Sequence, residues 1–168
     1  MTALRTILLT LLTTLGACAV STDDIDGPAA NAEDLARLSE TQWAGSLGYL
    51  DYGSGEWASI PVSIRFDAAK DRVIRYYIKY PGETQYNESD KLKISRNGRS
   101  LNGATLIERR EQDGARILTT QSRGKDDGRQ ADIRTTYVVS DNALTITKSV
   151  KFDGEQTYFR RNAYEMTR

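Results

Sequence analysis

The sequence predicts an all-β domain: an antiparallel up-and-down meander of about eight to ten strands closed into a small barrel, preceded by a short helix. Turn signals supply the first observation. Gly53-Ser54-Gly55, Asp67 to Asp71, Pro81-Gly82, Asn97-Gly98, Asp113-Gly114, Asp127-Gly128, Asp141-Asn142 and Asp153-Gly154 recur along the chain. Asn-Gly and Asp-Gly tolerate positive φ and are strong signals for a two-residue hairpin. The intervening segments supply the second. They run 42–52, 56–66, 72–80, 91–96, 99–112, 115–123, 130–140, 143–152 and 156–167, and they are rich in Val, Ile, Thr and Tyr. None carries a helical stripe long enough for a parallel crossover. A sheet of that many strands curls and closes, which removes exposed edges.

Composition narrows the functions. Lys and Arg together number 23, equal to Asp and Glu, and no basic stripe is present, so nucleic acid is not an expected partner. Histidine is absent and there is a single cysteine. Ser-His and Cys-His catalysis and most metal chemistry are thereby excluded, and no cofactor is called for. No spacing points to a carboxylate or Tyr/Arg mechanism, so the chain reads as a non-enzyme. Nine tyrosines against three phenylalanines suggest many half-wet aromatic positions.

In chain order, residues 1–17 come first: Arg5, then an apolar run from Ile7 to Leu12 broken only by Thr10. The run is too short to span a bilayer and has the form of a signal-peptide core. It ends in Leu15-Gly16-Ala17-Cys18, an apolar residue, two small residues and a cysteine. This stretch resembles the lipobox of bacterial lipoproteins. The resemblance implies cleavage before Cys18, acylation of its thiol (palmitate among the acyl chains) and membrane attachment through that lipid. Two or three chains anchor stably where one does not. Ala19, which is not the Asp of inner-membrane retention, implies a cell-envelope location at the outer membrane facing the periplasm.

Residues 18–41 read as a lipidated tether and a short helix. Ala19 to Ala30 is polar and contains Gly27-Pro28, which suits a flexible spacer. Asp24-Ile25-Asp26-Gly27 lacks the remaining ligands of a calcium loop and reads as a solvated acidic linker. Asn31 can cap a helix with Glu33 and Asp34 in its first turn, and Leu35 and Leu38 then share a face. That face is expected to plug the following domain.

Residues 42–168 form the barrel. Trp43, Gly45, Leu47 and Tyr49 alternate on the first strand, with Gly45 allowing close approach. Ile60, Val62, Ile64 and Phe66 share a face, as do Ile74, Tyr76, Ile78 and Tyr80. Two-residue turns at Asp141-Asn142 and Asp153-Gly154 place Val139 opposite Leu144, Tyr137 opposite Ile146, Thr135 opposite Lys148, and Ile133 opposite Val150. The same assumption places Lys148 opposite Phe159 and Ile146 opposite Arg161. With no break at Asn102-Gly103, pairing of Ile94 with Leu101 carries Ile107 and Arg109 inward. Tyr77, Tyr158 and Tyr164 fall on the outward parity.

The Trp-containing first strand after a short helix, followed by hairpins, is similar to the lipocalin-like, or calycin-type, barrels. The usual Gly-x-Trp order is reversed here in Trp43-Ala44-Gly45. The outer-membrane lipoprotein assembly factors with an open half-barrel resemble it on the same grounds. The calycin resemblance implies a small amphiphilic or lipophilic ligand. Lys148, Arg161 and Arg109, with Tyr76, Tyr137 and Trp43, are the candidate ligand-binding residues, the cations serving an anionic head and Ile64, Ile78 and Ile146 the tail. Pairing of those cations with carboxylates is the structural alternative. The alternative function is an assembly adaptor that binds another envelope protein. A cavity of a few hundred Å3 favours the ligand, and a side-chain-filled interior favours the adaptor.

Overall fold

A computed structural model describes residues 27–168. The leader, Cys18 and the acidic linker fall outside the described residues. The elements are α1 (Ala32–Ala36), β1 (Gln42–Leu50), β2 (Trp57–Phe66), β3 (Val73–Lys79), β4 (Glu88–Lys93), β5 (Ser100–Leu101), β6 (Ala104–Gln112), β7 (Ala115–Asp126), β8 (Arg129–Val139), β9 (Ala143–Phe152) and β10 (Phe159–Thr167), with a 3-10 turn at Thr84–Tyr86. All ten strands form one antiparallel sheet in the order β4-β3-β2-β1-β10-β9-β8-β7-β6-β5. Its two edges meet at the bridge Ile94–Leu101, so the barrel is nearly closed. Asn102 extends that seam: its backbone N–H donates to Lys93 O (2.9 Å), its side chain donates to Lys91 O (2.8 Å), and Lys93 N–H donates to Asn102 Oδ1 (2.7 Å).

The meander follows from the turn chemistry. Asp113-Gly114 and Asp127-Gly128 adopt positive φ at both residues and make the expected two-residue hairpins, pairing Gln112 with Ala115 and Asp126 with Arg129. The β8–β9 register is as read from the sequence, with Val139, Tyr137, Thr135 and Ile133 opposite Leu144, Ile146, Lys148 and Val150. Gly45 has no room for a side chain, because a Cβ there would lie 2.1 Å from Glu165 O.

Five expectations need correction. The segment 99–112 is not one strand: Asn102-Gly103 adopts φ of 51° and 83° and reverses the chain between β5 and β6. Asn-Gly acts there as it does in any hairpin. Ile107 then falls at a bulge between Leu106 and Glu108 and is 39% exposed, not inward. The turn after Phe152 is longer than two residues, so Phe159 faces Val150 where Lys148 was expected to face it. A second bulge, between Arg160 and Asn162, puts Tyr164 opposite Ile146, the place expected for Arg161. Tyr164 therefore packs against the core, not on the outer face.

One end of the barrel is solid. Leu35 and Leu38 of the helical segment plug it, packing with the fully buried Trp43 and with Ile74, Ile94, Leu144 and Met166. The expected cap is present: Asn31 Oδ1 accepts from Glu33 N–H, and Asn31 N–H donates to Asp34 Oδ2 at 2.8 Å. Asp34, whose side chain is fully buried, also accepts from Arg109 Nε at 3.0 and 3.2 Å and from Arg116. Arg37 reaches Glu111 at 2.9 Å and Gly114 O at 2.6 Å, tying the helix to the β6–β7 hairpin. Replacing Asp34 removes the buried carboxylate that Arg109 and Arg116 share and leaves Arg116 only Glu111, at 3.1 Å. Asp34→Ala is expected to lower stability by about 3 kcal/mol in chemical denaturation. A loss below about 0.5 kcal/mol, within the range of ordinary surface substitutions, would show that the triad does not hold the plug.

Candidate functional site

The other end is open. Pro61 has no N–H to donate, and pairing between β2 and β3 begins only at Ser63–Lys79. The chain leaves the sheet at Pro81-Gly82 and returns at Glu88 through the 3-10 turn. This detour leaves a recess of about 660 Å3, lined by Leu47, Tyr49, Ile60, Tyr80, Tyr86 and Glu88 among others. Behind it, inside the barrel, lies a smaller cavity of about 120 Å3. Its walls are Ile64, Phe66, Tyr76, Ile78, Leu92, Tyr137, Ile146 and Tyr164, and Glu88 borders both spaces. A hydrogen bond of 3.0 Å between the hydroxyls of Tyr80 and Tyr164 marks the boundary between them.

Tyr76 and Tyr137 thus lie where the sequence placed them, beside Ile64, Ile78 and Ile146. Burial, the main cause, raises the Tyr137 phenol to about 12, with the Asp90 charge adding to it. Burial also raises Tyr76, helped by Asp90, Tyr137 and Glu88, and raises Tyr164 and Tyr80. All four remain neutral hydroxyls throughout the physiological range. Trp43 does not border the cavity. It is fully buried in the plugged end, and its indole Nε1–H donates to Thr41 Oγ1 at 2.8 Å.

The three candidate cations do not converge. Arg109 is at the plugged end with Asp34. Lys148 and Arg161 come together at the open rim, where both bind Asp126: Lys148 Nζ to Oδ1 at 2.5 Å and Arg161 Nε to Oδ2 at 3.3 Å. Tyr52 hydroxyl donates to Asp126 Oδ2 at 2.5 Å, and the Arg161 guanidinium lies 4.3 Å from the Tyr52 ring centroid. Burial opposes the charge of Asp126, but hydrogen bonds from Lys148 and Tyr52 and the two cationic charges outweigh it and hold the carboxyl below its ordinary value. Tyr52 packs with Phe152 and Phe159 beside this cluster. The carboxylate partners, Asp34 and Asp126, were not singled out as such from sequence. Asp126 directly precedes the Asp127-Gly128 turn signal, and its role emerges once that turn fixes it at the end of β7.

Trp57 lies on the outer surface, 42% exposed, under Arg160 at 4.3 Å. Among the described residues no group of three or more His, Cys, Asp or Glu is placed to hold a metal ion.

No protein-family model and no curated protein sequence matches the chain. Among solved structures, the crystal structure of Rv2717c from M. tuberculosis is similar, with a TM-score of 0.54 and 15% sequence identity, covering 84% of this chain and 99% of that one. A mutant of the fluorescent protein UnaG aligns with a TM-score of 0.38 and 14% identity, covering 79% of this chain and 95% of that one. The likeness to Rv2717c speaks to fold alone. With the ten-stranded meander, it fits a calycin-type barrel.

The rim cluster has a pH signature. A carboxyl held low in the folded state stabilises above its unfolded value and loses that contribution as the pH falls through its folded value. Asp126→Asn is expected to be less stable than the parent by about 1–2 kcal/mol at neutral pH. The stabilities of the two should converge as the pH falls below the ordinary carboxylate value, about 4. A constant difference across that window would remove Asp126 as the source.

Proposed function

We propose that the chain is a lipid-anchored protein of the bacterial cell envelope whose barrel binds a small amphiphilic or lipophilic ligand. The observation that carries this reading is the open end of the barrel. Its recess is within the ~300–1,000 Å3 range of ligand sites, and Tyr80 and Tyr164 separate it from an aromatic-lined interior cavity. Half-exposed Leu47, Ile60, Tyr76, Tyr137 and Ile146 line these spaces, although a barrel needing only stability would fill them with its own side chains. The reading is of a binding protein without catalysis, and the expected lipid on Cys18 would keep it beside a source of amphiphiles.

A second reading, an adaptor for another envelope protein, draws on the solid plugged end and the outer face. There Trp57, Tyr77 and Tyr158 are stacked under Arg160, Arg65 and Arg134. Such aromatic and arginine groups suit a protein interface.

Two measurements test the first reading. Fluorescence titration of the full chain with the neutral probe N-phenyl-1-naphthylamine should show saturable binding. Ile60→Lys, which puts a charge in the recess, should weaken it about tenfold or more. Absence of saturable binding, together with a co-purifying protein in native mass spectrometry, would favour the adaptor. For the anchor, a clickable palmitate analogue fed to the producing cells should label the parent chain, and Cys18→Ala should abolish both the label and membrane retention. Retention of label by that variant would refute lipidation at Cys18.

A further inference from the structure

The interior cavity has an unusual chemical makeup for a lipophile site. Its aromatic walls come from Phe66, Tyr76, Tyr137 and Tyr164, and its ionisable border group is a carboxylate, Glu88. No cation borders it. Glu88 and Asp90 project with the inward parity of β4, opposite Ile78 and Tyr76 on β3. Among the described residues neither of these carboxylates forms a salt bridge, whereas the inward cations Arg109, Lys148 and Arg161 are each bound to an aspartate. The charge at the border of the cavity itself is the single carboxylate of Glu88. The same field acts on the phenols: Glu88 and Asp90 add to burial in keeping Tyr76 protonated, and Glu88 does so for Tyr164.

An anionic head entering this cavity would meet the Glu88 carboxylate and no cation. A cationic head would meet Glu88 as a counter-charge, with ring faces able to replace part of its hydration. The volume, about 120 Å3, suits one compact group and not a folded acyl chain. We infer that the cavity formed by Tyr76, Tyr137, Tyr164 and Phe66 with Glu88 is a cage for an alkylated ammonium group. The remainder of the ligand lies in the recess beside Leu47 and Ile60. This inference rests on the proposed ligand-binding function and assigns the class of its head group. Entry requires the Tyr80–Tyr164 hydrogen bond to part, at a cost of about 1 kcal/mol for a pair of neutral hydroxyls.

The test compares two molecules of nearly the same shape. Choline carries a quaternary nitrogen, and 3,3-dimethylbutan-1-ol has carbon in its place. In calorimetric titration of the full chain, choline should bind about tenfold or more tightly than the alcohol. Glu88→Gln should reduce choline affinity about tenfold and leave the alcohol unchanged. Glu88 is exposed, so the variant should keep the parent melting temperature. Tyr137→Leu should weaken choline more than the alcohol. Equal or weaker binding of choline, or an unchanged affinity in Glu88→Gln, overturns the cage. If neither molecule binds while N-phenyl-1-naphthylamine still does, the cage is wrong and the ligand-binding function stands. If none of the three binds, both readings fall.

Discussion

The buried carboxylate of Asp34 sets the arrangement of everything above it. The helix that carries it is five residues long, far too short to persist by its own hydrogen bonds. Tertiary contacts must hold it, and Asp34 gathers the polar ones at a single side chain: the reciprocal cap with Asn31 and the two arginines of the β6–β7 hairpin. The same side chain thus satisfies the start of the helix and two inward cations that would be costly if left unpaired. Leu35 and Leu38, carried in with it, complete the plug over Trp43. Because that end is solid, the remaining interior space collects at the other.

Where the space opens depends on breaks in the wall. Pro61 coincides with the loss of β2–β3 pairing, and the chain then detours through the 3-10 turn before β4 begins. On the far side of the sheet, β5 is only two residues long and meets β4 through one bridge, extended by the side chain of Asn102. These irregularities leave the upper part of β4 without a partner on its outer edge, and they bring Glu88 and Asp90 to the rim. Strand edges in soluble sheets are commonly guarded by charge. Here the guarding charges project with the inward parity, so they also set the potential of the cavity.

Much of this was legible in the sequence, for identifiable reasons. Asp-Gly hairpins impose their register, and Leu35 and Leu38 announce their shared face through helical spacing. The β8–β9 pairing followed from a two-residue turn at Asp141-Asn142 combined with alternation. What failed were the hairpin at Asn102-Gly103, two bulges and one long turn. The sequence around Arg161 alternates acceptably in either register, because Tyr164 and Ala163 are both compatible with burial: Tyr164 packs inside, and Ala163 is covered on the outside. A single inserted residue therefore carries no sequence penalty, yet it reverses every side chain after it. The cation cluster failed for a different reason. Placing Lys148 and Arg161 inward was sound, but their partner Asp126 comes from two strands away from Lys148 and three from Arg161, and no local pattern records such a pairing.

The distribution of paired and unpaired charge is what separates a site from a scaffold in this barrel. Inward cations alone would suggest a receptor for an anion, and the sequence supports that view as long as their partners are unknown. Once Asp34 and Asp126 are in place, each inward cation has a carboxylate partner, one aspartate shared by two cations at either end of the barrel. Glu88 has no cation in the cavity it borders. It lies next to protonated phenols, which offer hydrogen-bond donors to a neutral ligand and ring faces to a cation, but little relief to an anion facing a carboxylate. Burial keeps those phenols neutral, so the cavity cannot adapt its charge by titrating them near neutral pH. Selectivity by sign of charge thus follows from the pairing pattern, and the aromatic walls determine which positively charged groups fit.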